Sequence, residues 1–328
     1  MNLATVMTLV AIPSTVIWAY CAFGLILAIG LVTIFLRGDW QKSRGFDKLI
    51  LFGPLFYAAP LAGFGTEHFT LTKGIASIVP AWIPWHLFWA YFVGACFIAA
   101  ALSLVTRIQA RLAASLLALT FFLFVVLMDV PAWAQDPRDR IALALALREL
   151  CFSGGALALA ASLTGHLTEQ RGERSTPILA TIARYFFAIA LLYYSAEQFL
   201  HGLHVPAIPL ERVTPTWIVG HSVWAYLAAV VYAVAGILLL AGKKTRAAAL
   251  WVGWTVFVVE LAVYVPIGVV GFASLDNGFN YMADTLMFCG AVLLLADAMP
   301  RESPQRESPA DQSPGHLAGQ VSRETHAP

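Results

Sequence analysis

Two sets of acidic and histidine side chains recur along the chain in the same order. The first is Glu67, His86 and Glu149, and the second is Glu197, His221 and Asp284. His68, beside Glu67, joins the first set. A carboxylate next to an imidazole can take up or release a proton, because histidine is the side chain that titrates near neutral pH. We therefore predict that these residues bind a ligand or exchange protons with it.

Two further histidines extend the second set. His201 and His204 follow Glu197 at spacings of four and three residues, which would place the three side chains on one helical face. Carboxylate and imidazole groups at this spacing could hold zinc or iron. Alternatively, the histidines lie at a membrane boundary and bond to loops. Since Gly202 and Pro206 indicate that the helix ends here, we predict ligand binding or proton exchange rather than a metal site.

These residues lie in a chain that is too apolar to fold in water. Apolar residues make up 59% of its 328 residues and charged residues 12%, with a mean hydropathy of +0.75. A soluble domain carries about 25% charged residues. The chain is therefore predicted to be an integral membrane protein whose partner is the lipid bilayer. A net charge of +1 argues against a nucleic-acid partner.

Nine apolar segments are long enough to cross a bilayer, which takes about 20 residues. They are residues 14–36, 49–68, 85–105, 112–130, 141–163, 182–203, 217–241, 247–268 and 280–299. Fifteen of the 20 lysine and arginine residues fall on one side of the membrane if the loop at 37–48 is cytoplasmic. This predicts an all-α, multi-pass membrane protein with its N-terminus outside and its C-terminal tail in the cytoplasm.

The sequence contains an internal duplication. IVPAWIPWHLFWAY at 78–91 matches VTPTWIVGHSVWAY at 213–226, and the offset of 135 residues continues across the following spans. Upstream the offset is 130, because the connection after Glu67 is five residues shorter than the connection after Glu197. We predict one leading helix followed by two parallel four-helix bundle repeats, related by an axis along the membrane normal. The predicted parts are a leading helix with its cytoplasmic loop (1–48), the first repeat (49–163), a cytoplasmic linker (164–181), the second repeat (182–299) and a disordered cytoplasmic tail (300–328).

The titratable groups are predicted to gather near the outer face. At a helix rise of about 1.5 Å per residue, Glu67 and Glu197 come near the outer ends of their spans, and Glu149 and Asp284 lie a turn or two inside theirs. Ionisable groups are costly in lipid and usually face a bundle interior or a cavity. The sequence leaves open whether the two sets form one site or two. In an alternative interpretation, Arg148 forms an ion pair with Glu67 that merely holds the bundle together.

The first repeat also carries a set of helix-end motifs. These are a G-x-x-H-F element that ends one helix, a V-P-x-W-I-P stretch that opens the next, and an arginine-containing turn after a helix of small residues. The positions are Gly65, His68, Phe69, Val79, Pro80, Trp82, Ile83, Pro84, Arg107 and Arg111. In these motifs the repeat resembles the DoxX-like family of bacterial four-helix membrane proteins. The resemblance implies the bacterial cytoplasmic (inner) membrane and an association with quinone-linked thiosulfate oxidation or with thiol and oxidative-stress redox complexes.

Three functions fit this pattern. The first is an accessory subunit of a quinone- or thiol-linked membrane redox system, with a quinone as the implied ligand. A redox partner subunit would supply the electrons, since the sequence has no flavin, haem-attachment or dithiol motif. The alternatives are a structural scaffold whose polar groups join helices, and a carrier of a small lipophilic or weakly acidic solute. The sequence leaves the oligomeric state and any catalytic activity open.

Overall fold

The computed structural model describes residues 12–169 and 178–301, and the regular structure within these ranges is helical. Nine helices in the described part of the chain are long and apolar enough to cross a membrane. They are α1 (Ser14–Leu36), α2 (Gly45–Thr70), α3 (His86–Thr106), α4 (Ala110–Gln135), α5 (Arg140–Glu169), α6 (Ile178–Leu200), α7 (His221–Ala241), α8 (Thr245–Val270) and α9 (Leu275–Ala298). The prediction of an all-α membrane protein is confirmed.

The linker is shorter at both ends than the predicted range of 164–181. Helix α5 continues to Glu169, and α6 already begins at Ile178. A helix can continue past the apolar stretch because its propensity to form does not depend on the bilayer. Residues 1–11, 170–177 and 302–328, which include most of the predicted disordered tail, lie outside the described residues.

Helices α2–α5 and α6–α9 form two groups of four in one closed ring of eight. Neighbours along the chain pack side by side around the ring, α9 packs against α2, and α5 and α9 also meet across its centre. Helix α1 lies outside the ring, against α2 and α3. The backbone hydrogen bonds of each span form within its own helix. This is necessary because the hydrocarbon core of a bilayer offers no hydrogen-bond partners.

Several backbone features recur 135 residues apart. Left-handed φ angles occur at the pairs Trp85 and Gly220, Arg107 and Gly242, and Gln109 and Lys244, and single turns of π-helix occur at Val125–Asp129 and Glu260–Tyr264. In the same relation, the Trp89 ring N–H donates to Pro84 O at 3.1 Å, and the Trp224 ring N–H donates to Val219 O at 3.0 Å. A duplicated sequence would be expected to repeat its backbone features at one offset in this way. The duplication itself stays a prediction.

Glycines allow close contacts at the centre of the ring. A Cβ atom at Gly290 on α9 would lie 2.5 Å from the backbone nitrogen of Tyr57 on α2. A Cβ atom at Gly155 on α5 would lie 2.6 Å from the Cβ atom of Ala291 on α9. Small residues at such contacts are how helices pack tightly in lipid, where no hydrophobic force drives them together.

Gly290→Ala is expected to lower the free energy of unfolding by about 1–3 kcal/mol, since the added methyl group meets backbone atoms of α2 that cannot rotate away. Thermal unfolding in detergent, followed by circular dichroism, measures the loss. Gly24→Ala is the matched control, because among the described residues no atom outside its own stretch of helix lies within 4 Å of the position that its Cβ would take. Equal melting temperatures for the two variants would contradict this packing.

Candidate functional site

A cavity of about 670 Å³ lies between α3 and α4, backed by α2, α5 and α9. Its apolar lining includes Phe64, Trp89, Phe92, Val93, Phe97, Phe121, Leu123, Phe124, Leu127 and Phe152, and its polar lining comprises Glu67, His68, Thr120, Asp129, Arg148, Glu149, Asn280 and Asp284. Pockets for small ligands have volumes of about 300–1,000 Å³ and are mostly apolar with a few polar groups. The cavity therefore has the size and lining of a ligand site.

The polar groups gather at the end of the bundle where α3 and α7 begin, which we call the acidic end. Glu67 is near the last turn of α2, and Glu149 and Asp284 are in the early turns of α5 and α9. Thr120 lies further from this end, nine residues before Asp129 along α4, or about 13 Å at the helical rise. The cavity therefore extends from a polar end into an apolar interior.

In a bilayer the cavity opens sideways toward lipid. Trp89 and Phe92 of α3 and Leu123 of α4 line the cavity, yet they are 38%, 48% and 41% exposed. Helices α3 and α4 pack more loosely than α7 and α8, the corresponding pair of the other group. A molecule dissolved in the membrane could enter between α3 and α4 without passing through water.

Arg148 organises the acidic end. Its guanidinium donates to Asp284 Oδ2 at 2.6 Å and to Glu149 Oε1 at 2.9 Å. The first bond joins α5 to α9, and the Arg148 side chain is only 17% exposed. One cation thus binds two acids from different halves of the chain, and these charge-assisted bonds are the strong kind of hydrogen bond.

Other buried polar atoms of the cavity have no hydrogen-bond partner in the part of the chain that the structure describes. They are Glu67 Oε1, Asp129 Oδ2, Glu149 Oε2, Asn280 Oδ1 and Arg148 Nε. Four of these five atoms are acceptors, and only the arginine nitrogen is a donor. A buried polar atom without a partner is unfavourable. The acidic end therefore has spare capacity to accept hydrogen bonds from a bound molecule.

His68 adds another acceptor. Its Nδ1 lies 2.8 Å from the backbone oxygen of Phe64. Because a carbonyl oxygen only accepts, Nδ1 must carry the proton, which leaves Nε2 of the neutral ring as an acceptor. The ring packs edge-on against Phe97 with 5.4 Å between centroids. His68 thus presents a fixed tautomer within the lining of the cavity.

The structure groups the predicted residues differently from the two matched sets. Asp284, predicted with the second set, lies in the cavity with Glu67 and Glu149, because α9 sits between α2 and α5. His86 and His221 are half-buried at the starts of α3 and α7, outside the lining of the cavity. The alternative interpretation paired Arg148 with Glu67, but among the described residues Arg148 pairs with Glu149 and Asp284 instead.

Glu197 belongs to a separate cluster. Its Oε2 lies 3.2 Å from Arg140 Nη1 and 3.2 Å from His201 Nδ1. Helix α6 ends at Leu200, so His201 and His204 follow the helix rather than lie on it, but His201 still meets Glu197 and its ring packs edge-on against His204 at 5.4 Å between centroids. Gly202 and Pro206 favour that ending. Within residues 12–169 and 178–301 no group of three or more His, Cys, Asp or Glu side chains could hold a metal ion.

The connection after α6 folds back into the second group of helices. Residues 205–209, which we call the plug, are all buried, and Val205, Ala207 and Ile208 are at most 2% exposed. Gln198 Nε2 donates to Val205 O at 3.0 Å, and the Tyr264 hydroxyl donates to Pro206 O. The plug thus fills space beside α6 and α8 with backbone carbonyls held by side-chain donors.

Two residues that were not predicted from the sequence, Thr120 and Asn280, also line the cavity. Asn280 precedes Asp284 by four residues, a spacing that places both on one face of α9. That spacing was a usable signal for Asn280. Thr120 sits in an apolar run without a polar neighbour at helical spacing, so it gave no such signal.

Comparison of the chain with protein-family models, with curated proteins and with solved structures found no match. The likeness to DoxX-like proteins therefore stays a prediction that depends on the motifs quoted above.

Proposed function

We propose that this protein binds a quinone- or quinol-type molecule in the cavity between α3 and α4, as an accessory subunit of a quinone-linked membrane redox system. The observation that carries the proposal is an apolar cavity that is open sideways to lipid and ends in a cluster of acids. In the orientation predicted from the charged loops, this end faces outward. A redox partner subunit would exchange electrons with the ligand, and the thiol-linked variant of the system would differ in that partner.

The residues present fit such a molecule. An aromatic head with a hydrocarbon tail is insoluble in water, and the exposed lining residues Phe92 and Leu123 give it a path from the bilayer. The aromatic lining, including Phe97 and Phe121, suits a flat ring. A bound quinol supplies two-electron, two-proton chemistry. Glu67 and His68 line the cavity and would hold the protons at a carboxylate oxygen and an imidazole nitrogen.

A structural scaffold is the second candidate, because the Arg148 bonds join α5 to α9. Glu67 is the residue that distinguishes the scaffold from the ligand-binding protein. Its Oε1 is buried and has no hydrogen-bond partner among the described residues, whereas the acids bound by Arg148 join two helices. A carrier is less well supported, since Gly155 packs closely against Ala291 at the centre of the ring.

Glu67→Gln is expected to leave the melting temperature unchanged or raised and to weaken binding of decyl hydroquinone about tenfold, because it replaces one acceptor oxygen of the carboxyl group with an amide donor. Binding is measured by equilibrium dialysis against protein in lipid nanodiscs, with empty nanodiscs as the partition control. His86→Ala is the control variant and should bind like the wild type, since His86 does not line the cavity.

The proposal requires saturable binding above empty nanodiscs. If there is none, and Glu67→Gln melts at a lower temperature, the scaffold is the better account. Glu197→Gln is the comparison variant for a purely structural residue, because it weakens the ion pair between Glu197 and Arg140. That variant should lose stability and keep its ligand affinity.

A further inference from the structure

We infer that the ligand of this cavity presents hydrogen-bond donors, such as phenolic or alcoholic hydroxyl groups, to His68 and Asp129. The inference rests on the proposed function and narrows its ligand class. It follows from a comparison of the open cavity with the plugged space in the other group of helices.

The plug occupies the counterpart of the open cavity. The offset of 130 residues that pairs Glu67 with Glu197 also pairs His68 with Gln198. The offset of 135 pairs Asp129 with Tyr264, and these two residues each end a matched turn of π-helix. The two side chains that hold the plug therefore stand at the positions that His68 and Asp129 occupy beside the cavity.

The difference in loop length explains why only one space is filled. The connection after α6 is five residues longer than the connection after α2. The longer one supplies the plug, whereas the shorter one forms a helix at Thr72–Ile78. From this short helix, Ile75 and Ile78 contribute to the lining of the cavity and leave its interior open.

The hydrogen-bonding character of the two walls is opposite. In the plugged space, the Gln198 amide and the Tyr264 hydroxyl donate to the carbonyl oxygens of the plug. In the open cavity, the neutral His68 ring offers Nε2 as an acceptor, and Asp129 Oδ2 is buried without a partner among residues 12–169 and 178–301. A carboxyl group keeps an accepting oxygen even when it is protonated. The hydrogen-bond donors of the plugged space bind the carbonyl acceptors of the plug. By the same logic, the hydrogen-bond acceptors of the open cavity suit a ligand that donates hydrogen bonds.

The test compares three probes with the same ring and tail in protein-containing nanodiscs. They are decyl hydroquinone kept reduced with ascorbate, its dimethyl ether, and decyl benzoquinone. The hydroquinone donates two hydrogen bonds, and the other two only accept. We expect the hydroquinone to bind at least about tenfold more tightly than the ether or the quinone, because each acceptor left without a partner weakens binding.

The variant His68→Gln tests whether His68 itself determines the preference for hydroquinone. This substitution places an amide donor where the plugged space has Gln198, so the preference for hydroquinone over quinone should shrink about tenfold. His86→Gln is the matched control and should keep the preference, since His86 does not line the cavity. Equal affinity for the three probes overturns the inference and leaves the proposed function standing. Absence of binding for all three overturns both.

Discussion

Arg148→Met is expected to lower the free energy of unfolding by about 3–5 kcal/mol. The Arg148 guanidinium binds Asp284 at 2.6 Å and Glu149 at 2.9 Å. Without it, two buried carboxylates from opposite halves of the ring face each other without a cation. Removing one partner of a buried ion pair is costly because the remaining charge is still buried. The helix contact that should open first is the one between α5 and α9.

Thermal and denaturant unfolding in detergent measure this loss. Arg138→Met is the matched control, because Arg138 is exposed in the turn between α4 and α5. The triple variant Arg148→Met, Glu149→Gln, Asp284→Asn should recover much of the stability, since it removes the charges that the single variant leaves buried. If Arg148→Met unfolds like Arg138→Met, the buried network contributes little and the bond from Arg148 to Asp284 does not hold α5 to α9.

Thr120→Trp is expected to weaken ligand binding by about tenfold to hundredfold. Thr120 lines the cavity, and among the described residues its hydroxyl bonds only to Leu116 O in its own helix, so the larger ring would extend into the space. Overfilling a packed site costs about 1–3 kcal/mol, which corresponds to this range of affinity. Stability should change little, because the added ring fills a cavity rather than a packed core.

Leu119→Trp is the matched control for this variant. Leu119 precedes Thr120 in α4 but is 54% exposed, on the side that faces lipid in a bilayer. Both variants place one indole ring in the same turn of the same helix. In one variant the ring points into the cavity, and in the other it points toward lipid. Dialysis of decyl hydroquinone against nanodiscs should show wild-type affinity for Leu119→Trp. Equal affinities for the two variants would show that the ligand binds elsewhere.

Hydropathy and charge were enough to predict the nine spans, because lipid demands long apolar helices whatever the packing between them. The same patterns predicted that Glu67, Glu149 and Asp284 lie near one end of the bundle. They could not show which acids meet. That depends on α9 packing between α2 and α5, and hydropathy carries no information about which helices become neighbours.

The connection after α6 shows a second limit. Its five extra residues were visible as a change in offset. An apolar segment such as Val205 to Ile208 in a loop is equally compatible with a lipid-facing turn and with burial inside the bundle. The outcome depends on Gln198 and Tyr264, which are distant in sequence from each other and donate to the carbonyls of the plug.

Photolabelling tests the central claim most directly. A decyl hydroquinone with a diazirine in its tail is bound to the protein in nanodiscs, illuminated with and without excess unlabelled ligand, and mapped by mass spectrometry. The account predicts that adducts removed by the competitor fall on the cavity lining at residues 89–97 of α3 and 120–128 of α4. Competitor-sensitive adducts confined to α7 and α8, or labelling that the competitor does not change anywhere, would contradict it.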